Sequence, residues 1–326
     1  MDLEPIYQSI KKELKKVEEV LESSIGKSKN KPVLKLGRFL LESGGKRIRP
    51  ALVIFSAKAS LNQPSHFTRQ NVITIASAVE LIHMASLIHD DVIDHACLRH
   101  NRPTINSKWG QDVSIALGDY LYSSAFKLIS TCNNLDILRC ISSATEQMCK
   151  GELIQVCERN NISLLKQRYY LIVKQKTAAL FAACCQSGAM LSDSKVKVQN
   201  ALKRYGLNFG IAFQIADDCL DLVGEKEDLG KTPGADFSVG ELTLPVLNLL
   251  SDNKYKNRLI HLLRQKDCQE ALRQTREDFI NSPAFSKTKQ DILTYVQKAK
   301  NGLDDLKDSC FKQSLFAIAD YIMEKW

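Results

Sequence analysis

Two groups of three aspartates, each in the pattern Asp-Asp-x-x-Asp, are the residues in this sequence best suited to chemistry. They are Asp90, Asp91 and Asp94, and then Asp217, Asp218 and Asp221. Side chains three or four residues apart on a helix share a face, so each group converges. Like charges packed this closely repel, and no Lys or Arg stands four residues away from the first group. The pattern therefore predicts Mg2+, which binds a few carboxylates, keeps several waters and accepts phosphate oxygens.

Apolar runs precede both aspartate groups and predict the elements that carry them. The run from Glu80 to Ile93 contains no Gly or Pro and is apolar on most sides, which is typical of a buried helix. The run from Phe209 to Ala216 is also predominantly apolar, although it contains Gly210. A solvated acidic helix end would explain either group alone. Two such helices facing each other are better explained as walls that hold one diphosphate through several metal ions.

Basic residues near these runs could contact a diphosphate. Lys46 and Arg49 follow the Gly44-Gly45 pair, where exposed backbone N–H groups and cations favour anions. Lys176 interrupts an apolar helix predicted from Tyr169 to Met190, so it needs an anionic partner or must reach solvent. His83 lies two helical turns before Asp90 on the same face, although a core histidine bonded to backbone is the ordinary alternative. We interpret Glu152 and Gln155 as structural residues near the site.

With these motifs, the chain resembles the trans-isoprenyl (polyprenyl) diphosphate synthases, specifically their long-chain type. The resemblance extends from the Gly-Gly-Lys-Arg-Ile-Arg-Pro segment at 44–50 to the C-terminal segment at 315–322, and the paired aspartate motifs carry it. It implies an all-α fold, a single-domain bundle of many helices around a central cavity over residues 1–326. It also implies head-to-tail addition of isopentenyl diphosphate to an allylic diphosphate such as farnesyl diphosphate, with release of diphosphate.

The resemblance also implies roles for individual residues. The catalytic residues are Asp90, Asp91, Asp94, Lys176, Thr177, Gln214, Asp217 and Asp218. Three Mg2+ ions would be bound by Asp90, Asp94 and Asp217, with Asp91, Asp218 and Asp221 in direct or water-mediated support. The two substrates would be held by Lys46, Arg49, His83, Arg99, His100, Lys176 and Lys231. Thr177 and Gln214 would lie beside the developing allylic cation.

Two positions depart from the family's usual pattern. His100 stands where arginine is common, and imidazole lacks the two-pronged guanidinium, so isopentenyl diphosphate binding is expected to be weaker or pH-dependent. Glu241 stands where lysine is frequent, and we expect that it is not a diphosphate ligand.

Small residues next to the first motif predict a long product. A helical turn rises ~5.4 Å, about one isoprene unit, and the product tail should grow along the helix away from the metals. Ala85 and Ser86 lie one turn from Asp90 and leave that path open. The sequence therefore predicts a product beyond geranylgeranyl diphosphate. The alternative is that Tyr122 or Phe126, from another helix, closes the path lower down.

Composition limits the partners and the location. The net charge is +8, from 45 basic and 37 acidic residues, but no basic run alternates with aromatic residues, so nucleic acid is not expected. The 10 cysteines form no CxxC pair and no secretory signal precedes them, which predicts a cytoplasmic protein without disulfides. No apolar run is expected to span a membrane. A peripheral membrane contact for product release is expected instead. The resemblance implies a homodimer.

Three other functions remain open at this point. One is a shorter-chain synthase that makes farnesyl or geranylgeranyl diphosphate. Another is a terpene cyclase, which would not need the second diphosphate site at Lys46 and Arg49. The third is a subunit of a heteromeric synthase that is inactive without its partner.

Overall fold

A computed structural model describes residues 3–27, 29–60, 66–99, 101–159, 161–224, 234, 237, 239–263 and 268–324, so His100 and Lys231 lie outside the described residues. The helices, in chain order, are α1 (Glu4–Tyr7), α2 (Lys11–Leu21), α3 (Lys31–Glu42), α4 (Ile48–Ser60), α5 (His66–Ile93), α6 (Ile105–Trp109), α7 (Gln111–Ser130), α8 (Leu135–Cys157), α9 (Ile162–Val173), α10 (Ala179–Met190), α11 (Val196–Val223), α12 (Leu244–Leu249), α13 (Asn253–Leu262), α14 (Cys268–Ile280), α15 (Pro283–Asn301) and α16 (Cys310–Glu324). Two-residue strands β1 (Leu98–Arg99) and β2 (Arg102–Pro103) pair antiparallel. The all-α prediction is confirmed.

Helix α5 carries the first aspartate group and is a core helix. It packs against α2, α4, α7 and α10, and Val79, Ile82 and Ala85 have no exposed surface. The stretch Arg69–Ile93 is long and apolar enough to cross a membrane by length and composition, contrary to the expectation from the sequence. However, 78% of its 18-residue apolar window is buried inside the protein, so its apolar character is explained by core packing.

Helix α10 lies among the other site-bearing helices. It contacts α4, α5, α8 and α11, and it is buried almost all round because its residues are small or apolar. Helix α11 carries the second aspartate group and packs on α10 and α15. Both aspartate helices therefore contact α10, and each ends close to its own acidic group.

A π-helical turn, Lys174–Ala178, joins α9 to α10 where the sequence predicts one continuous helix. Two glycines allow neighbouring helices to approach this turn closely. A Cβ added to Gly151 of α8 would lie 2.4 Å from the Lys176 backbone nitrogen. A Cβ added to Gly210 of α11 would lie 2.6 Å from the Ala178 Cα. The turn, and with it Lys176 and Thr177, is thus held on two sides by backbone packing.

The substitution Gly151→Ala tests this packing. In an unconstrained helix interior, Gly→Ala raises stability by up to about 1 kcal/mol. Here the added methyl group meets backbone, so we expect a loss of about 1 to 3 kcal/mol in the free energy of unfolding. Urea denaturation would measure it. A variant more stable than the wild type would contradict the close approach.

Candidate active site

The first aspartate group is balanced in part by two arginines, one close to it along the chain and one far from it. Asp91 is buried, and its Oδ1 atom is 2.8 Å from both Nε and Nη2 of Arg99 on strand β1. Asp94 Oδ1 is 2.7 Å from Nη2 of Arg159, just beyond the end of α8. Arg99 was predicted near the site from the sequence, whereas Arg159 was not. No local spacing signals that contact, because 65 residues separate the pair.

Arg159 also joins the first aspartate group to the segment that precedes α12. Its Nη2 atom is 2.7 Å from Oε1 of Glu241, and its Nε atom donates to the same oxygen at 2.8 Å. The side-chain amide of Gln155 also donates to Glu241. The buried Glu241 carboxylate is therefore held by residues of the α8 end, and the arginine bridges two acidic side chains.

Asp90, Glu152 and Lys176 form a second charged cluster. Lys176 Nζ is 2.5 Å from Glu152 Oε2, which gives the interior lysine the anionic partner that the sequence requires. Burial lowers the pKa of Lys176, but Asp90, Glu152 and Glu241 raise it by more, so the ammonium remains charged. Burial raises the pKa of Asp90 to about 7, against the opposing effect of Lys176. Asp90 is thus a carboxyl group that a nearby cation would help to ionise.

The second aspartate group is connected by hydrogen bonds to the residues predicted beside the cation. Thr177 Oγ1 donates to Gln214 Oε1 at 2.6 Å, and Gln214 Nε2 donates to Asp218 Oδ1 at 2.8 Å. Asp218 Oδ2 accepts from the Tyr169 hydroxyl at 2.5 Å. Asp218 and Asp221 are buried, whereas Asp217 is partly exposed. Tyr169 was not singled out in the sequence.

The segment after Gly44-Gly45 places its three basic residues differently. Arg47 is a structural anchor, 2.6 Å from Glu18 and 2.9 Å from the buried Glu80. Arg49 stacks with its guanidinium 4.3 Å from the Phe181 ring centroid, and its buried Nε atom has no hydrogen-bond partner among the described residues. Lys46 is exposed and lines a cavity of about 390 Å³. Lys46 and Arg49 therefore retain capacity to bind an anion.

The residues predicted to bind substrate or set product length differ in exposure. His83 and Ser86 are partly exposed on α5, and the Ser86 hydroxyl donates to the His83 backbone oxygen at 2.8 Å. Ala85 is fully buried, so it does not open onto a cleft. Tyr122 on α7 packs its ring 5.8 Å from that of His89, so it lies beside the residue that precedes Asp90 on α5.

The donor set fits Mg2+ that is shared with a ligand. Among the described residues, no three carboxylate, imidazole or thiol groups are close enough to hold one metal ion by themselves. Mg2+ is usually bound by one or two carboxylates and completed by waters and substrate phosphates, so a closed protein cage is not needed. The partly exposed Asp90, Asp94 and Asp217 offer hard oxygen ligands of this kind.

Comparison with known proteins agrees with this arrangement. The family model described as polyprenyl synthetase matches residues 30–279. The chain belongs to this family of trans-isoprenyl diphosphate synthases, and the protein is a prenyltransferase. It is similar to heptaprenyl diphosphate synthase component 2 of Bacillus subtilis, 34% identical over 99% of this chain and 90% of the relative. It is 30% identical to the geranylgeranyl diphosphate synthase of Methanosarcina mazei, over 100% of this chain and 99% of the relative.

A solved structure of a related protein is similar to this chain over nearly its whole length. The polyprenyl synthase of Caulobacter crescentus, crystallised with calcium and isoprenyl diphosphate, superimposes with a TM-score of 0.90 at 31% identity. The match covers 98% of this chain and 97% of that one. The isoprenoid synthase fold expected from the sequence is therefore confirmed.

The substitution Arg159→Gln tests the bridge between Asp94 and Glu241. Breaking a buried ion pair commonly costs about 3 to 5 kcal/mol, and we expect about 2 to 3 here because the Arg159 side chain retains 20% exposure. Chemical denaturation would measure the loss. The control is Arg139→Gln, since Arg139 and Asp136 form a pair that is 76% and 77% exposed. That control should change stability by less than about 0.5 kcal/mol. Equal effects of the two substitutions would contradict the bridge.

Proposed function

We propose that this protein is a long-chain all-trans polyprenyl diphosphate synthase that adds isopentenyl diphosphate to an allylic diphosphate in the presence of Mg2+. The observation that carries the proposal is the meeting of two aspartate groups, from α5 and α11, with the Lys176-Thr177 turn between α9 and α10. Lys176 of this turn interacts with Asp90 of the first group, whose negative charge raises the lysine pKa. Thr177 of the same turn is connected to Asp218 of the second group through hydrogen bonds with Gln214.

The charged residues around the two aspartate groups would bind and orient the allylic diphosphate. Asp90, Asp94 and Asp217 would hold Mg2+, which when bound withdraws negative charge from the departing diphosphate. Lys176 is charged and would donate to a diphosphate oxygen. Arg99 would do the same, in exchange for its contact with Asp91.

Thr177 and Gln214 would stabilise the allylic cation that remains when the carbon–oxygen bond breaks. Both present oxygen atoms, and their mutual hydrogen bond fixes those oxygens in place. Lys46, Arg49 and His83 would hold isopentenyl diphosphate so that its double bond attacks the cation and forms the new carbon–carbon bond. The adduct would then lose a proton to the released diphosphate. The apolar surroundings of α5 and α10 would keep water from quenching the cation.

Product length beyond geranylgeranyl diphosphate is proposed from the small Ser86 side chain, one turn from Asp90. The substitution Ser86→Phe should place a ring in the path of the growing tail, so we expect products shorter by several isoprene units. Chromatography of the dephosphorylated products would measure their length. Ser86→Ala is the control and should leave the length unchanged. Unchanged products from Ser86→Phe would show that the tail takes another path.

The assembly and location are also proposals. We propose a cytoplasmic homodimer that contacts a membrane only peripherally when it releases its product. A heteromeric enzyme is the second candidate, because one similar protein is named component 2 of a heptaprenyl diphosphate synthase. Light scattering of the purified protein would distinguish a dimer from a monomer.

Product analysis tests the function. The purified protein would be incubated with Mg2+, farnesyl diphosphate and labelled isopentenyl diphosphate, with a chelated sample as the metal-free control. We expect a ladder of long prenyl alcohols after dephosphorylation and no label incorporated without metal. A ladder that stops at geranylgeraniol would establish a shorter-chain synthase. Hydrocarbon without label would indicate a cyclase, and no turnover would favour the partner-dependent subunit.

A further inference from the structure

We infer that Tyr169 is a positioning residue for prenyl transfer, acting through Asp218 to set the orientation of Gln214 and Thr177. The inference rests on the proposed function of the same site. It assigns Asp218 a role different from that of a metal ligand, and it assigns Tyr169 a role that the aspartate motifs alone do not indicate.

The geometry is a continuous line of hydrogen bonds. Thr177 donates to Gln214 at 2.6 Å, and Gln214 donates to Asp218 at 2.8 Å. Tyr169 donates to the other oxygen of Asp218 at 2.5 Å. Asp218 is 3% exposed and Tyr169 is 7% exposed, so water competes little for these bonds.

The carboxylate at the centre of the line determines which way the Gln214 amide points. An ionised carboxylate can only accept, so the NH2 group of Gln214 must face Asp218. The amide carbonyl is then left on the side of Thr177, where it accepts the hydroxyl proton. In this orientation both Gln214 and Thr177 can offer oxygen lone pairs to a nearby cation. The reverse orientation would present N–H groups and would repel the cation.

Tyr169 holds the carboxylate in the rotation that makes this possible. A bond to a charged acceptor is stronger than one between neutral groups, and the short distance fits that class. Without the hydroxyl, Asp218 Oδ2 loses this donor and the carboxylate gains freedom to turn about its Cβ–Cγ bond. Helix α9 places Tyr169 one turn before Lys174–Ala178, the segment that carries Thr177. One short stretch of chain thus supplies both ends of the line.

The neighbouring tyrosine provides a matched control. Tyr170 packs its ring 5.4 Å from that of Tyr169, but it is 39% exposed. Tyr169→Phe and Tyr170→Phe therefore remove the same atom from adjacent residues of one helix. Only the first removes a hydrogen bond from the line that leads to Gln214.

The experiment compares the two variants with the full-length wild type. The measurements are the single-turnover rate of transfer from farnesyl diphosphate, the KM of each substrate, and calorimetric binding of inorganic diphosphate with Mg2+. We expect Tyr169→Phe to lower the transfer rate about tenfold or more, in line with other residues that orient a reacting group. KM and diphosphate affinity should stay near wild-type values, because the groups that bind diphosphate are untouched. Tyr170→Phe should match the wild type throughout.

A double variant separates positioning from general support. Asp218→Asn gives residue 218 a donor group and so lets Gln214 reverse, and the transfer rate should fall. Adding Tyr169→Phe to Asp218→Asn should then lower the rate little further, because both changes act through one group.

Three results would overturn the inference. One is equal transfer rates for Tyr169→Phe and Tyr170→Phe. The second is a rate loss for Tyr169→Phe that matches its loss of folded protein in a melting curve. The third is a rate loss for Tyr169→Phe that adds in full to the rate loss of Asp218→Asn. A wild-type protein that binds diphosphate but transfers no prenyl group would instead remove the proposed function, and the inference with it.

Discussion

Repulsion between carboxylates at the ends of two buried helices is the constraint on which the rest of this structure depends. Two unit charges 4 Å apart repel by about 1 kcal/mol in water and by about four times as much near a protein surface. Two of the buried aspartates have donors of their own, Arg99 for Asp91 and Tyr169 for Asp218. The partly exposed Asp90 and Asp217 retain the greater access to solvent and to added cations. Burial therefore divides each group into members that anchor the protein and members that can bind a ligand.

The apolar framework makes that division possible. Helix α10 contacts both aspartate helices, and small residues let it approach α11 closely enough for Thr177 and Gln214 to share a hydrogen bond. Gly151 and Gly210 pack closely against the backbone of the π-helical turn that carries Lys176 and Thr177. The hydrogen bonds and the glycine packing thus meet at one turn, so the positions of Lys176 and Thr177 depend on backbone contacts as much as on charge.

The sequence predicted the elements better than the contacts between them. Apolar runs ending in aspartates predicted α5 and α11, because burial and helical spacing are local properties of the chain. Arg159 and Tyr169 were missed because 65 and 49 residues separate them from their acidic partners. The π-helical turn inside the predicted 169–190 helix was missed as well, since nothing in its local sequence marks the extra residue. Ala85 was predicted beside Ser86, but the rotation of about 100° between adjacent helical residues directs its side chain into the core.

The ion pairs already present beside the aspartate groups also bear on which ligands the site can accept. Lys176 is held by Glu152, and Arg99 is held by Asp91, so an incoming anion must compete with a carboxylate for each cation. A singly charged anion gains little from that exchange, because it replaces one acceptor by another of equal charge. A diphosphate bound with divalent metal offers several oxygens of higher charge density and can engage both cations together. The same pairs would re-form when diphosphate departs, which would lower the free energy needed for product release. Internal carboxylates that compete for Lys176 and Arg99 would therefore favour both selectivity for diphosphates and turnover in the proposed reaction.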